Sequence, residues 1–266
     1  VPPDTVFFLS DYGRQDEFVG LVHAVVRRLA PAAAVVDLVH EVPAFDVRAG
    51  ALALARTVPH LGPGVVLAVV DPGVGSNRRG LLLQSGTGRS YVGPDNGLLL
   101  AAAEAEGGVA RALTLPGPRS GGATTFDGRD VFAPAAAALC RGEDPGALGA
   151  ATDPASLVRL PDPVVERGRG PEGAWLRAEV TWVDRFGNVQ LALAAAQAED
   201  LTGIALLARP GAEGLLARRV AAFEDLGPGE LGIVADASGQ LALVAGRASA
   251  AGRLGLVPGD LVELSW

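Results

Sequence analysis

Residues 6–10, 35–39 and 65–70 are almost unbroken apolar runs, each the length of a single strand. Between the first two, Phe18-Val19, Leu21-Val22 and Val25-Val26 recur at the spacing of one helix face. The alanines and leucines of 47–58 do the same before the third run. Pro31 and Pro59 close these helices, because proline lacks the amide that would continue them. Strand and helix alternating with short links predict a mostly parallel sheet flanked by helices, its crossovers right-handed.

Two further apolar stretches, 81–84 and 90–92, flank Gly86-Thr87-Gly88 and read as paired strands. Pro94-Asp95-Asn96-Gly97 opens a helix over 98–105, and the alanine-rich stretch 133–140 predicts another. From about residue 153 to 173 the chain turns rich in Pro, Arg, Glu and Gly, the composition of an interdomain linker. Beyond it come short alternating segments at 175–183, 189–193, 204–208, 231–235 and 241–244. The turn Pro258-Gly259-Asp260 then leads into a last strand at 261–264. The expectation is an α/β domain over 1–160, a linker over 161–172 and a small β-barrel domain over 173–266.

With 266 residues, each domain can bury a core without covalent staples. The single cysteine, Cys140, excludes an internal disulfide and reads as an inert core thiol at a helix end. A net charge of -8 argues against a nucleic-acid partner, which needs a basic footprint. No apolar run approaches the roughly 20 residues of a membrane-spanning helix, so no membrane partner is expected. Val1-Pro2-Pro3-Asp4 lacks the basic start of a secretory signal, which makes the cytoplasm the expected location.

Candidate chemistry sits at strand ends. Val69-Val70-Asp71-Pro72-Gly73-Val74-Gly75-Ser76-Asn77-Arg78-Arg79 carries a strand into a turn that presents a carboxylate and then a guanidinium. Asp11-Tyr12-Gly13, Pro94-Asp95-Asn96-Gly97 and Phe126-Asp127-Gly128-Arg129-Asp130 also set acids beside glycine. Each alone is an ordinary turn, but parallel topology brings such loops to one rim. With Asp184-Arg185-Phe186-Gly187-Asn188 they suggest a carboxylate-lined cleft at the domain boundary. No paired-histidine spacing and no Walker phosphate loop occurs, and His23, His40 and His60 read as packing or capping residues. No metal is expected.

The motifs also stand in the order of a known family. Leu9-Ser10-Asp11-Tyr12-Gly13, Asp37-Leu38-Val39-His40 with Val42-Pro43 and Asp46-Val47, Val70-Asp71-Pro72-Gly73-Val74-Gly75-Ser76 with Arg78-Arg79, Pro94-Asp95-Asn96-Gly97-Leu98, Thr125-Phe126-Asp127-Gly128-Arg129-Asp130 and Asp184-Arg185-Phe186-Gly187-Asn188 cover nearly the whole chain. It resembles the S-adenosylmethionine hydroxide adenosyltransferases, relatives of the fluorinase and chlorinase. The resemblance implies a Rossmann-like, nucleoside-binding catalytic domain followed by a β-barrel. It also implies a homotrimer with S-adenosyl-L-methionine bound between the N-domain of one subunit and the C-domain of the next. The implied reaction is attack of water or hydroxide on ribose C5′, giving adenosine and L-methionine with no cofactor or metal.

Carried over by position, Asp71 and Arg78 match two members of an Asp-Arg-His set that activates water. The third position is Asp127 here, where the family has histidine. Asp11 matches the acid that holds the ribose hydroxyls, and Phe45 an aromatic packed on the ligand. Tyr12, Pro72, Phe126 and Gly128 belong to the same substrate-binding loops. Asp184 matches an acid near the methionine ammonium; Phe186, Asn188 and Phe223 match residues around adenine, whose edge Arg247 and Ala248 would meet through their backbone. The halogenases carry tyrosine at the Asp71 position, and the fluorinase carries serine where this chain has Gly128. Water is thus the expected nucleophile. Two other readings remain: an S-adenosylmethionine or adenosine-binding protein whose turnover was lost with the histidine, and a 5′-halogenating enzyme.

Overall fold

The computed structural model describes residues 2–117, 125–171, 173–208 and 214–266. The chain divides into two compact units, Val1–Leu160 and Pro161–Trp266.

The first unit runs β1 (Thr5–Ser10), α1 (Phe18–Leu29), β2 (Ala34–Val39), α2 (Val47–Thr57), β3 (Val65–Val69), β4 (Gly80–Ser85), β5 (Ser90–Pro94), α3 (Leu100–Ala105), β6 (Val109–Leu115), α4 (Ala133–Cys140), α5 (Pro145–Leu148) and β7 (Ala150–Thr152). Its seven-stranded sheet has the order β2-β1-β3-β5-β4-β6-β7. β2, β1, β3 and β5 are parallel, whereas β4, β6 and β7 join antiparallel. The sheet is therefore mixed rather than mostly parallel. The physical reason is the tight β4–β5 turn, closed by Gly88 N–H on Ser85 O at 2.9 Å, which reverses the chain without a crossover helix.

Alternation along the central strands assigns their faces. Val6, Phe8, Val65, Leu67 and Val69 pack with Val22 and Val26 of α1 and with the alanines of α4. On the other face α2 lies so close that a β-carbon at Gly50 would meet Val70 and Leu98 at 2.9 Å. The chain passes from β1 to β2 on one side and returns to place β3 on the other. That reversal is where open α/β sheets leave a crevice beyond their strand ends. Asp11 follows β1 and Asp71 follows β3, so the two acids flank it.

The second unit comprises β8 (Val165–Gly170), β9 (Gly173–Val183), β10 (Val189–Ala194), β11 (Ile204–Ala208), β12 (Leu215–Arg219), β13 (Leu231–Ala235), β14 (Gln240–Ala245), α6 (Ala250–Leu254) and β15 (Leu261–Ser265). Its sheet order is β10-β14-β13-β12-β11-β15-β9-β8, and β10 pairs again with β9, curling the sheet back on itself. Leu176, Ala178, Val180, Leu191, Ile233, Leu243 and Leu264 fill the interior. Residues 161–172, expected as a linker, hold β8, which pairs with β9 along its length; Glu172 lies outside the described residues. An edge strand with a largely exposed surface needs no apolar pattern, which is why composition suggested a linker.

Candidate active site

β3 is buried over its full length and delivers Asp71 into a turn where Val74 N–H returns to Asp71 O at 3.2 Å. The turn brings Arg78 back onto the carboxylate. Arg78 Nε donates to Asp71 Oδ1 at 3.0 Å and Nη2 to Oδ2 at 2.5 Å, a two-point pair. The same Nη2 donates to Asp127 Oδ2 at 2.7 Å. The three side chains are 5% (Asp71), 9% (Arg78) and 14% (Asp127) exposed. Phe132 lies under the guanidinium, 5.4 Å from ring centre to Cζ.

Two carboxylates thus share one guanidinium in a partly dry setting. Burial pushes the Asp71 carboxyl above the usual carboxylate range; Asp127 adds to the push, while the charge and hydrogen bonds of Arg78 oppose it. A carboxylate so placed holds or accepts a proton more readily than an exposed one, and the guanidinium offers charge to an anion forming beside it.

Asp127 begins a π-helical turn, Gly128–Phe132, that runs into α4. Extra turns of this kind often occur at functional sites, since they re-aim side chains. Tyr12 closes the wall: a β-carbon at Gly128 would lie 2.1 Å from the Tyr12 hydroxyl oxygen, so any side chain there has to displace Tyr12. Burial, followed by the charges of Asp11, Asp71 and Asp127, pushes the Tyr12 phenol far up, which keeps it protonated. Tyr12, Phe18 and Phe126 cluster with ring centres 5.2 to 5.7 Å apart, Phe126 edge-on to the other two. Phe18 was not anticipated, because its place in the α1 pattern reads as helix packing.

Asp11 Oδ2 accepts the Phe45 amide at 2.9 Å. Phe45 itself is exposed and has a positive φ of 68°, unusual for an aromatic residue. Pro72 is exposed in the Asp71 turn. Asp95, by contrast, does not line the site. It is buried, accepts from Arg79 Nε at 2.7 Å and from Val158 N–H at 3.0 Å, and so fastens the turn internally. Its neighbour Asn96 donates Nδ2 to Val70 O at 2.8 Å and braces the strand end that carries Asp71.

In the second unit, Phe186, Asn188, Phe223, Ala245, Arg247, Ala248 and Ser249 line a cavity of about 500 Å³. Phe186 and Phe223 are exposed, two flat apolar surfaces beside an amide side chain. The turn bearing Phe186 is strongly determined. Asp184 Oδ1 accepts Phe186 N–H at 2.8 Å and Asn188 N–H at 2.9 Å, and Oδ2 accepts Asn188 Nδ2 at 2.8 Å. Gly187 has φ 83°, and a β-carbon there would lie 2.0 Å from Ser249 Oγ. Ala245 is a pocket residue that sequence did not single out; its small side chain carries no recognisable signal.

Cys140 is a partly buried free thiol, pushed up to about 11 by burial. Among the described residues no helix is long and apolar enough to cross a membrane.

Fold and site define an α/β protein with a buried carboxylate–guanidinium centre at a sheet reversal and a separate aromatic pocket in a curled β unit. Residues 6–149 match the N-terminal domain of the SAM hydroxide adenosyltransferases and residues 178–263 their C-terminal domain, and the chain belongs to this family. It is 45% identical over 267 residues to the (R)-S-adenosyl-L-methionine hydrolase of Salinispora tropica, covering 99% of this chain and 98% of that one. The enzyme of the same name from Thermus thermophilus is 47% identical over 195 residues, 69% of this chain and 72% of its own. Among solved structures, an uncharacterized conserved protein from Thermotoga maritima superimposes with a TM-score of 0.88 at 32% identity, covering 98% of this chain and 100% of that one.

Proposed function

We propose that this protein hydrolyses S-adenosyl-L-methionine. Water attacks ribose C5′ as the C5′–S bond breaks, its electron pair going to sulfur; the products are adenosine, L-methionine and one proton. Sulfonium is already a good leaving group, so orientation and a desolvated nucleophile suffice, and no cofactor or metal enters the step. The single observation that carries the reading is Arg78 bridging Asp71 and Asp127.

In this reading the Arg78 guanidinium stabilises the developing hydroxide and Asp71 takes its proton. Asp127, standing where the family has histidine, anchors the second side of Arg78. With both acids ionised the set carries a formal charge of two negatives against one positive. That balance repels chloride or fluoride and favours a neutral water. Asp11 keeps acceptor capacity for the ribose hydroxyls beyond the Phe45 amide. Tyr12, Phe45, Pro72, Phe126 and Gly128 shape the sugar end of the site. Phe186 and Phe223 stack on adenine, with Asn188 and the Arg247-Ala248 backbone at its edge. An ammonium contact at Asp184 competes with the three hydrogen bonds that its carboxylate already accepts.

Similar proteins named for the (R)-sulfonium form support testing that epimer first. The proposal further takes the first unit as Rossmann-like, the second as a small barrel, and the working form as a cytoplasmic homotrimer joining the two half-sites from neighbouring subunits. Mass spectrometry of products from each substrate epimer, with and without chloride, tests it. Adenosine and methionine under both conditions support hydrolysis; a chlorinated nucleoside, or binding without product, overturns it.

A further inference from the structure

We propose that His23, Asp37 and His40 form a binding site for a zinc-like divalent transition-metal ion, outside the Asp71–Arg78–Asp127 centre. α1 supplies His23, the edge strand β2 supplies Asp37, and His40 follows that strand. Asp37 Oδ1 lies 2.7 Å from His23 Nε2 and 3.0 Å from His40 Nε2, and the three donor atoms fall within 4.8 Å of one another.

His40 makes the cluster more than a surface coincidence. It is 1% exposed, and its Nε2 is buried and aimed at the cluster without a hydrogen bond of acceptable geometry. An unsatisfied buried nitrogen is costly unless something completes it. The opposite ring nitrogen, Nδ1, lies 2.8 Å from Ser10 Oγ. If Nδ1–H donates to that oxygen, Nε2 keeps a free lone pair, the arrangement found in metal-ligating histidines. Phe8 packs edge-on against the His40 ring at 4.5 Å and near His23 at 6.3 Å, giving the site a dry wall.

Two imidazole nitrogens and one carboxylate suit Zn²⁺ and its neighbours rather than Mg²⁺ or Ca²⁺, which prefer all-oxygen shells. Bonds of about 2.0–2.1 Å set tetrahedral donors about 3.4 Å apart, so a slight opening of the cluster admits the ion. The side chains of His23 and Asp37 are each about one-third exposed, leaving room for entry and for water as a fourth ligand. The nearby Arg14 charge acts on His40 and opposes a cation. The site adjoins the loop of Asp11 and Tyr12, because Ser10 Oγ also accepts Tyr12 N–H and His40 O accepts Gly13 N–H. A bound ion therefore stiffens that loop.

The test is calorimetric titration of the tag-free, chelator-treated full chain with Zn²⁺, paired with the visible spectrum of added Co²⁺. One ion per chain, a four-coordinate cobalt spectrum and a raised Tm are expected. His23→Gln and Asp37→Asn, each checked for native circular dichroism, should weaken binding roughly tenfold or more, at least what is lost with a supporting group. Absence of saturable binding below millimolar Zn²⁺ would overturn the proposal. Equal affinity in a natively folded His23→Gln protein would overturn it too.

Discussion

Arg78 grips Asp71 at two points, Nε on Oδ1 and Nη2 on Oδ2, and so fixes the plane of the carboxylate at the end of the central strand. A guanidinium can do this and an ammonium cannot. Arg78→Ala should lower kcat by about 100-fold or more, as loss of a charge-stabilising donor does elsewhere. Arg78→Lys keeps the charge but loses the fork, and should recover only part of that rate. Steady-state kinetics on both variants, with circular dichroism to confirm folding, check this; full activity in Arg78→Ala removes the residue from the mechanism.

The raised Asp71 pKa has two readouts. Turnover requires the ionised base, so the acid limb of kcat/KM should lie above the usual carboxylate range. Asp127→Asn should move that limb to lower pH, because the Asp127 charge contributes to the rise. For stability the sign is fixed by linkage. An acid whose folded pKa lies above its unfolded value contributes fully below the unfolded pKa, and that contribution is lost as pH rises through the folded pKa. Asp71→Asn should therefore raise Tm near neutral pH, with the gain shrinking toward pH 4, while abolishing turnover. Thermal melts across pH measure this, and a Tm gain that grows on acidification contradicts it.

Gly128 and Tyr12 meet too closely for a side chain at 128 unless Tyr12 moves. Gly128→Ala should cost about 1–3 kcal/mol by overpacking and displace Tyr12, with a higher KM. Combining it with Tyr12→Phe tests the contact directly, since removing the hydroxyl should relieve much of the loss in Tm.

Phe186 projects from a rigid turn and is held by contacts other than its own ring. Phe186→Ala should weaken nucleoside binding by about 1–3 kcal/mol, the range of aromatic–base stacking, with little change in kcat or Tm. Calorimetry with adenosine checks it; unchanged affinity would exclude Phe186 from the adenine pocket.

Much of this was legible in the residues, for identifiable reasons. The run into Asp71 reads as a strand because a central parallel strand must be apolar on both faces. Arg78 lies on the same turn, so local spacing relates it to Asp71. Asp127 is 49 residues from Arg78, and only topology brings the two together. β6 was not anticipated because Arg111 interrupts its short apolar pattern, and β8 because an exposed edge tolerates Arg and Gly. Asp95 looked like the other loop acids; its pairing with Arg79 comes from the β4–β5 register and that with Val158 from the path of the chain after β7, neither of which its own turn encodes.

The central claim is transfer of a water oxygen to ribose C5′. Incubation with S-adenosyl-L-methionine in ¹⁸O-labelled water, followed by mass spectrometry of both products, tests it most directly. The account predicts adenosine carrying one label at its 5′ oxygen beside unlabelled methionine. Unlabelled adenosine, labelled methionine or untouched substrate would contradict it.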